Sequence, residues 1–150
     1  MDKMKQKVII TGAAKGIGKE IARTSAMQGA TVMLADRDDT EGVKTIESIN
    51  AAGGNSWFFH ADISVYNDIS GMMAAAEKRM GGIDVLVNNA GFGIWKSPYE
   101  LEPEEWDTVI NTNLRGTFLC SREAALVMRK GGGGSIINIA STRAFMSEPN

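Results

Sequence analysis

The chain has 150 residues, enough for one domain with a sizeable core, and its 43% hydrophobic and 23% charged content is ordinary for a globular protein. Its 16 Lys and Arg stand against 18 Asp and Glu, a net charge of −2, which leaves no basic footprint for nucleic acid or an anionic membrane surface. One cysteine excludes an internal disulfide, one histidine leaves no partner for a zinc site or a His-based triad, and no apolar run reads as a signal peptide or membrane span, so a cytoplasmic setting is expected.

Val8 to Ile10 is a continuous apolar run, the pattern of a parallel strand covered on both faces. It leads into Thr11-Gly12-Ala13-Ala14-Lys15-Gly16-Ile17-Gly18, with glycines spaced Gly-x-x-x-Gly-x-Gly where a strand gives way to a helix. That helix is expected over 16–28, with Ile17, Ile21, Ala22 and Ser25 inward and Gly29 as its stop. Thr31 to Ala35 is the second strand, followed by Asp36 and Arg37. The next helix covers 38–52, turns Val43, Ile46 and Ile49 inward and stops at Gly53-Gly54.

Trp57 to His60 is the third strand. Asp62 and Ile63 follow it, and Ser64 is the expected N-cap of a helix that stops at Gly81-Gly82. Asp84 to Val87 is the fourth strand, leading into Asn88-Asn89-Ala90-Gly91. Pro103 opens one long helix whose inward stripe is Trp106, Ile110, Asn113, Thr117, Cys120 and Ala124; Cys120 reads as a buried small hydrophobe. The run Gly131 to Gly134 follows a helix and precedes a strand, the reverse of a phosphate loop, so it reads as a connector. Ser135 to Ala140 is the fifth strand, and Ser141 comes directly after it.

Five strands alternating with four helices imply an α/β fold: a Rossmann-like, doubly wound parallel sheet of order 3-2-1-4-5, in one dinucleotide-binding domain over 1–150. Gly12 would allow the tight turn, Gly16 the approach of the ligand to the backbone, and Gly18 close helix packing, with Lys15 and Ile17 in the same loop. Asp36 lies eighteen residues past Gly18, where a carboxylate can accept both hydroxyls of an adenosine ribose and repel a 2′-phosphate. NAD is therefore expected over NADP, although Lys15 and Arg37 could each reach toward a 2′-phosphate.

In this order the motifs resemble the short-chain dehydrogenase/reductase family, and the match covers all 150 residues, from Thr11-Gly12 through Asp62-Ile63 and Asn88-Asn89-Ala90-Gly91 to Ile137-Asn138-Ile139-Ala140-Ser141. The resemblance implies that Asp62 and Ile63 contact adenine, that Asn89, Ala90 and Gly91 line the riboses, and that Asn88 braces the sheet. It also implies that Ser141 hydrogen-bonds the substrate oxygen and that Asn113 belongs to a catalytic tetrad, holding a proton-relay water. Independently of the family, an amide on an apolar stripe needs a hydrogen-bond partner. Where the family usually carries Ser-Ser-x-x-Gly, this chain has Ala140-Ser141-Thr142-Arg143-Ala144.

The implied activity is NAD(H)-dependent interconversion of a secondary alcohol and a ketone or other carbonyl by hydride transfer. It would act on a small molecule in a homo-oligomer. A non-catalytic dinucleotide-binding module and an NADPH-dependent 3-oxoacyl-thioester reductase are the alternatives. Phe92, Ile94, Trp95, Phe145 and Met146 suggest an apolar substrate wall. The family's proton donor is a tyrosine about thirteen positions beyond this serine, with a lysine about four further on. Tyr66 and Tyr99 are instead followed by Ser70 and Pro103. The sequence thus reads as the N-terminal part of a longer enzyme, stopping before strands 6 and 7 and before its proton donor. Ile136, Ile137 and Ile139, on both faces of the fifth strand, point the same way.

Overall fold

The computed structural model describes residues 5–142. Its strands are β1 (Lys7–Thr11), β2 (Thr31–Asp36), β3 (Asn55–His60), β4 (Val85–Asn88) and β5 (Ser135–Asn138). They form one parallel sheet in the order β3-β2-β1-β4-β5, the expected topology. Val8 pairs with Val32 on one side and Val85 on the other, while Asp36 pairs with His60 and Asn88 with Asn138. The carboxyl ends of the strands therefore lie together along one rim.

Both faces of the sheet are covered. Ile9, Met33 and Leu86 pack with Ile69 and Met72 of α3 (Tyr66–Met80) and with Cys120 and Ala124 of α5 (Thr117–Lys130). Val8, Ile10, Val32, Leu34 and Val87 pack with Ala22 and Ala26 of α1 (Gly16–Met27) and with Ile49 of α2 (Asp39–Ala51). Successive strand residues alternate between these two cores, which is why the strands read as unbroken apolar runs. Ile9 and Ile10 are wholly buried, and each such side chain contributes about 1.5–3 kcal/mol.

Several helices sit at a different rotation from the expected one. α1 buries Gly18, Ala22 and Ala26 and leaves Ile17 65% exposed; α2 buries Gly42, Thr45 and Ile49 and leaves Val43 43% exposed. Small residues face the sheet because the helices lie close to it: a Cβ on Gly42 would overlap the Phe58 ring. α3 begins at Tyr66 with Val65 at its N-cap, and the Ser64 hydroxyl bonds Asp62 Oδ1 at 2.7 Å instead of capping the helix.

The long helix is also interrupted. α4 (Pro103–Ile110) opens on a reciprocal capping box between Glu102 and Glu105, then passes through a π-helical segment, Asn111–Gly116, into α5. A π turn changes the phase of the helical stripe. Trp106 and Asn113 consequently face outward, and the buried line becomes Thr112, Gly116, Cys120 and Ala124. Gly116 permits this path, since a Cβ there would stand 2.6 Å from the Ile63 carbonyl oxygen. On β5 the isoleucines Ile136 and Ile137 are 38% and 47% exposed. Among the described residues no helix is long and apolar enough to cross a membrane.

Candidate nucleotide cleft

The β1–α1 loop lies at the carboxyl rim, between the ends of β2 and β4. Gly12 has φ +64°, and a Cβ on it would come within 2.7 Å of Ala90 Cα, so the loop runs hard against the β4 end. A Cβ on Gly18 would overlap Gly12 O and Asn89 Nδ2. Gly16 differs. It has φ +59°, and a Cβ there would meet nothing within 4 Å, so its backbone faces open space. Helix α1 starts at this point, with Lys15 at its N-cap and no side-chain cap on its first turn.

Side chains brace the β4 bank. Thr11 is wholly buried, and its hydroxyl oxygen accepts the backbone N–H of Asn89 and of Ala90, each at 3.1 Å. Asn89 Nδ2 returns the contact to the carbonyls of Thr11 and Gly12, each at 3.0 Å. Asn88 Nδ2 donates to Ser121 Oγ and to Asn138 Oδ1, each at 2.9 Å, and so ties β4 to α5 and β5. The Asn113 amide clamps Phe92 in both directions: Oδ1 accepts the Phe92 N–H at 3.1 Å and Nδ2 donates to the Phe92 carbonyl at 2.7 Å.

The β2 bank carries charge. Asp36 Oδ2 accepts the Ala14 N–H at 2.9 Å and Oδ1 accepts the Asp38 N–H at 3.0 Å, which fixes the carboxylate while leaving it lone pairs for a ligand. Lys15 Nζ donates to Asp38 Oδ2 at 3.0 Å, and this contact raises the lysine pKa. The Glu41 N–H and then Lys15 hold Asp38 below the usual carboxylate range. Thr45, under the loop, donates to the Ala14 carbonyl at 2.8 Å. The Arg37 guanidinium carbon lies 5.9 Å from the Phe92 ring centroid, across the cleft.

At the β3 end, burial pushes the Asp62 pKa up, but the Ser64 hydroxyl and N–H, with Arg37 and His60, outweigh that and leave it lowered. His60 Nδ1 lies 2.8 Å from Asp39 Oδ1, and this contact raises the histidine pKa.

These elements enclose a cleft of about 580 Å³. From the glycine loop it is lined by Gly12, Lys15, Gly16 and Ile17; from the ends of β2 and β3 by Asp36, Arg37, Asp62 and Ile63; and from the end of β4 by Asn89, Ala90 and Gly91. Gly18 packs behind the loop instead of lining the cleft. Asn113 stands behind Phe92. Ser141 lies just past β5 and is not among the lining residues.

Phe92 lines this cleft opposite Arg37, and Trp95 is 73% exposed. Arg143 to Met146 lie outside the described residues. Tyr66 reaches Glu123 Oε1 at 3.4 Å, Tyr99 is 98% exposed, and neither lines the cleft. Burial pushes the Cys120 thiol up to about 12, as suits a core residue.

Sequence reasoning missed Thr11, Thr45, Ala61 and Thr112. Thr11 carried a readable signal, a hydroxyl ending an apolar strand directly before a glycine. The other three carried none, because their place at the cleft depends on which elements cross.

With the geometry established, comparison with known proteins gives the family. The family model for the short chain dehydrogenases matches residues 6–150. The chain belongs to that family. An uncharacterized oxidoreductase of Thermotoga maritima is 44% identical over 142 residues, covering 95% of this chain and 56% of its own length. A 3beta-hydroxysteroid dehydrogenase of Mediterraneibacter gnavus is 35% identical over 144 residues, covering 95% and 52%. The crystal structure of an actinorhodin polyketide ketoreductase with NADPH superposes with a TM-score of 0.90 at 34% identity, covering 95% of this chain and 56% of that one. The chain thus spans about half the length of the curated relatives it matches.

Proposed function

We propose that this chain binds NAD(H) and forms the nucleotide-binding part of an oxidoreductase that interconverts a secondary alcohol and a carbonyl. The observation that carries the cofactor assignment is the Asp36 carboxylate, held in the cleft by two backbone N–H groups while the neighbouring Lys15 is engaged by Asp38. A carboxylate fixed there can accept a ribose diol and repels a 2′-phosphate. The open backbone at Gly16 and the uncapped start of α1 suit a pyrophosphate. Asp62 and Ile63 would contact adenine, and Asn89, Ala90 and Gly91 the riboses.

When bound, the nicotinamide would accept or donate the hydride. Ser141 would hydrogen-bond the reacting oxygen. Asn113 would order the nearby loop through Phe92 and hold a relay water. Support for the alcohol–carbonyl chemistry comes from the steroid dehydrogenase and the polyketide ketoreductase among the relatives. The exposed Leu114 and Phe118, 64% and 61%, support self-association, and one buried cysteine suits a cytoplasmic setting.

The NADPH of the ketoreductase structure favours a second reading, in which this protein uses the 2′-phosphorylated cofactor. Calorimetric titration with NAD and NADP separates the two. Repulsion between unit charges at about 4 Å is roughly 1 kcal/mol in water and about 4 at an effective dielectric of 20, a range of five-fold to several-hundred-fold. Asp36→Ser should shift the relative affinity toward NADP by an amount in that range. A wild-type protein that already prefers NADP overturns the NAD assignment.

A further inference from the structure

We infer that Phe92 is a specificity-determining residue for the nucleotide: its ring holds Arg37 across the mouth of the cleft and withholds that cation from a 2′-phosphate. The inference rests on the NAD(H) reading above and deepens it. Arg37 follows Asp36 directly, so it emerges beside the carboxylate proposed to meet the ribose. An unengaged guanidinium at that position would cancel the repulsion that Asp36 provides, because it recognises phosphate bidentately.

The ring is well placed to prevent this. Strands β2 and β4 flank β1 on opposite sides, so a contact between their ends passes over the glycine loop. The guanidinium carbon is 5.9 Å from the ring centroid, within the range of a cation–π contact. Asn113 holds the Phe92 backbone beneath the ring by gripping both its N–H and its carbonyl. Lys15, the other cation of the loop, is taken by Asp38. Each cation near the ribose position therefore has another partner, one a carboxylate and the other an aromatic face.

The effect is a bias, since an exposed cation–π contact is weak. Phe92→Leu keeps the apolar bulk and the backbone clamp but removes the aromatic face. We expect it to raise the ratio Kd(NAD)/Kd(NADP) by about two- to five-fold. Phe92→Ala should do the same. In Arg37→Ala the effect of Phe92→Leu should vanish, so that the double variant matches Arg37→Ala alone. An unchanged ratio in Phe92→Leu, or a gain that persists in the double variant, overturns the inference.

A second readout needs no nucleotide: the Arg37 Nε–H proton in the free protein should be shifted upfield by the ring and should lose that shift in Phe92→Leu. Absence of the shift in wild type overturns the inference as well. Failure of the NAD reading looks different. Wild type would then prefer NADP, yet substitution of Phe92 would still raise the ratio. If wild type bound neither nucleotide, both statements would fall.

Discussion

On the glycine-loop side of the cleft the backbone is itself the structural element, whereas on the β4 side side-chain amides hold the backbone in place. Gly12 and Gly18 are pressed against Ala90, Asn89 and each other, with no room for a single added carbon. Across the cleft, Asn89 Nδ2 donates to the carbonyls of Thr11 and Gly12, and the Asn113 amide meets the Phe92 backbone in both directions. The first arrangement fails abruptly when atoms are added. The second should fail gradually when hydrogen bonds are removed, because each net contribution is modest.

Substitutions at two glycines where the loop enters α1 sharpen this contrast most. Gly18→Val would drive side-chain atoms into the Asn89 amide and into the backbone oxygen of Gly12, which cannot withdraw without moving the loop. Its expected cost is about 3 kcal/mol or more, read from urea unfolding. A cost below about 1 kcal/mol would show that the loop can shift, and the contrast would break. Gly16→Val should behave oppositely, since its Cβ meets nothing. There the stability cost is only the left-handed strain, about 1–2 kcal/mol, while NAD affinity falls by roughly 100-fold as the side chain fills the pyrophosphate's room. Retained affinity with that side chain in place would reduce the glycine pattern to a turn.

Asn113 tests the other bank. Asn113→Ala removes two hydrogen bonds to Phe92, and because the clamp is exposed the expected loss is about 1–2 kcal/mol. Asn113→Asp keeps an acceptor for the Phe92 N–H but sets a carboxylate against the Phe92 carbonyl, so it should be no better than alanine. Full stability in Asn113→Ala, measured by the same urea titration, would mean that the bank holds without its clamp.

The smallest expected effect lies at the cleft's outer edge, where Asp39 raises the pKa of His60 above its ordinary 6.5. A histidine that binds its proton more tightly when folded adds stability that is complete below the unfolded pKa and is lost as pH rises through the folded value. The urea midpoint should therefore fall slightly from pH 6 to pH 8. The pair is solvent-exposed, so the change should be near the limit of measurement, and Asp39→Asn should abolish it. A midpoint that rises over this window would contradict the assignment.

Most of the cleft could be read from the chain because its parts are local. A strand that ends on Thr11, a glycine loop and the start of a helix are contiguous, Asp36 ends the apolar run of β2, and Asn89 lies directly past the end of β4. The misplaced residues are those whose position depends on a distant partner. Val43 turns outward because Gly42 faces Phe58 of β3, and Ser64 is drawn off the α3 N-cap by Asp62. Trp106 and Asn113 turn outward because a π segment re-phases the long helix. A helical wheel drawn at constant period cannot show such an insertion.

By itself the sequence determined the number and order of the strands, their alternation with helices, the placement of the glycine loop and the apolar content of both sheet faces, because periodicity and turn chemistry act over a few neighbouring residues. Only the tertiary structure decided which face of each helix is buried, that Thr11 and Asn89 lock the loop to β4, and that Arg37 meets Phe92 across the cleft. Those contacts join residues about 50 to 80 positions apart, and they form only once parallel pairing has brought the strand ends to one rim.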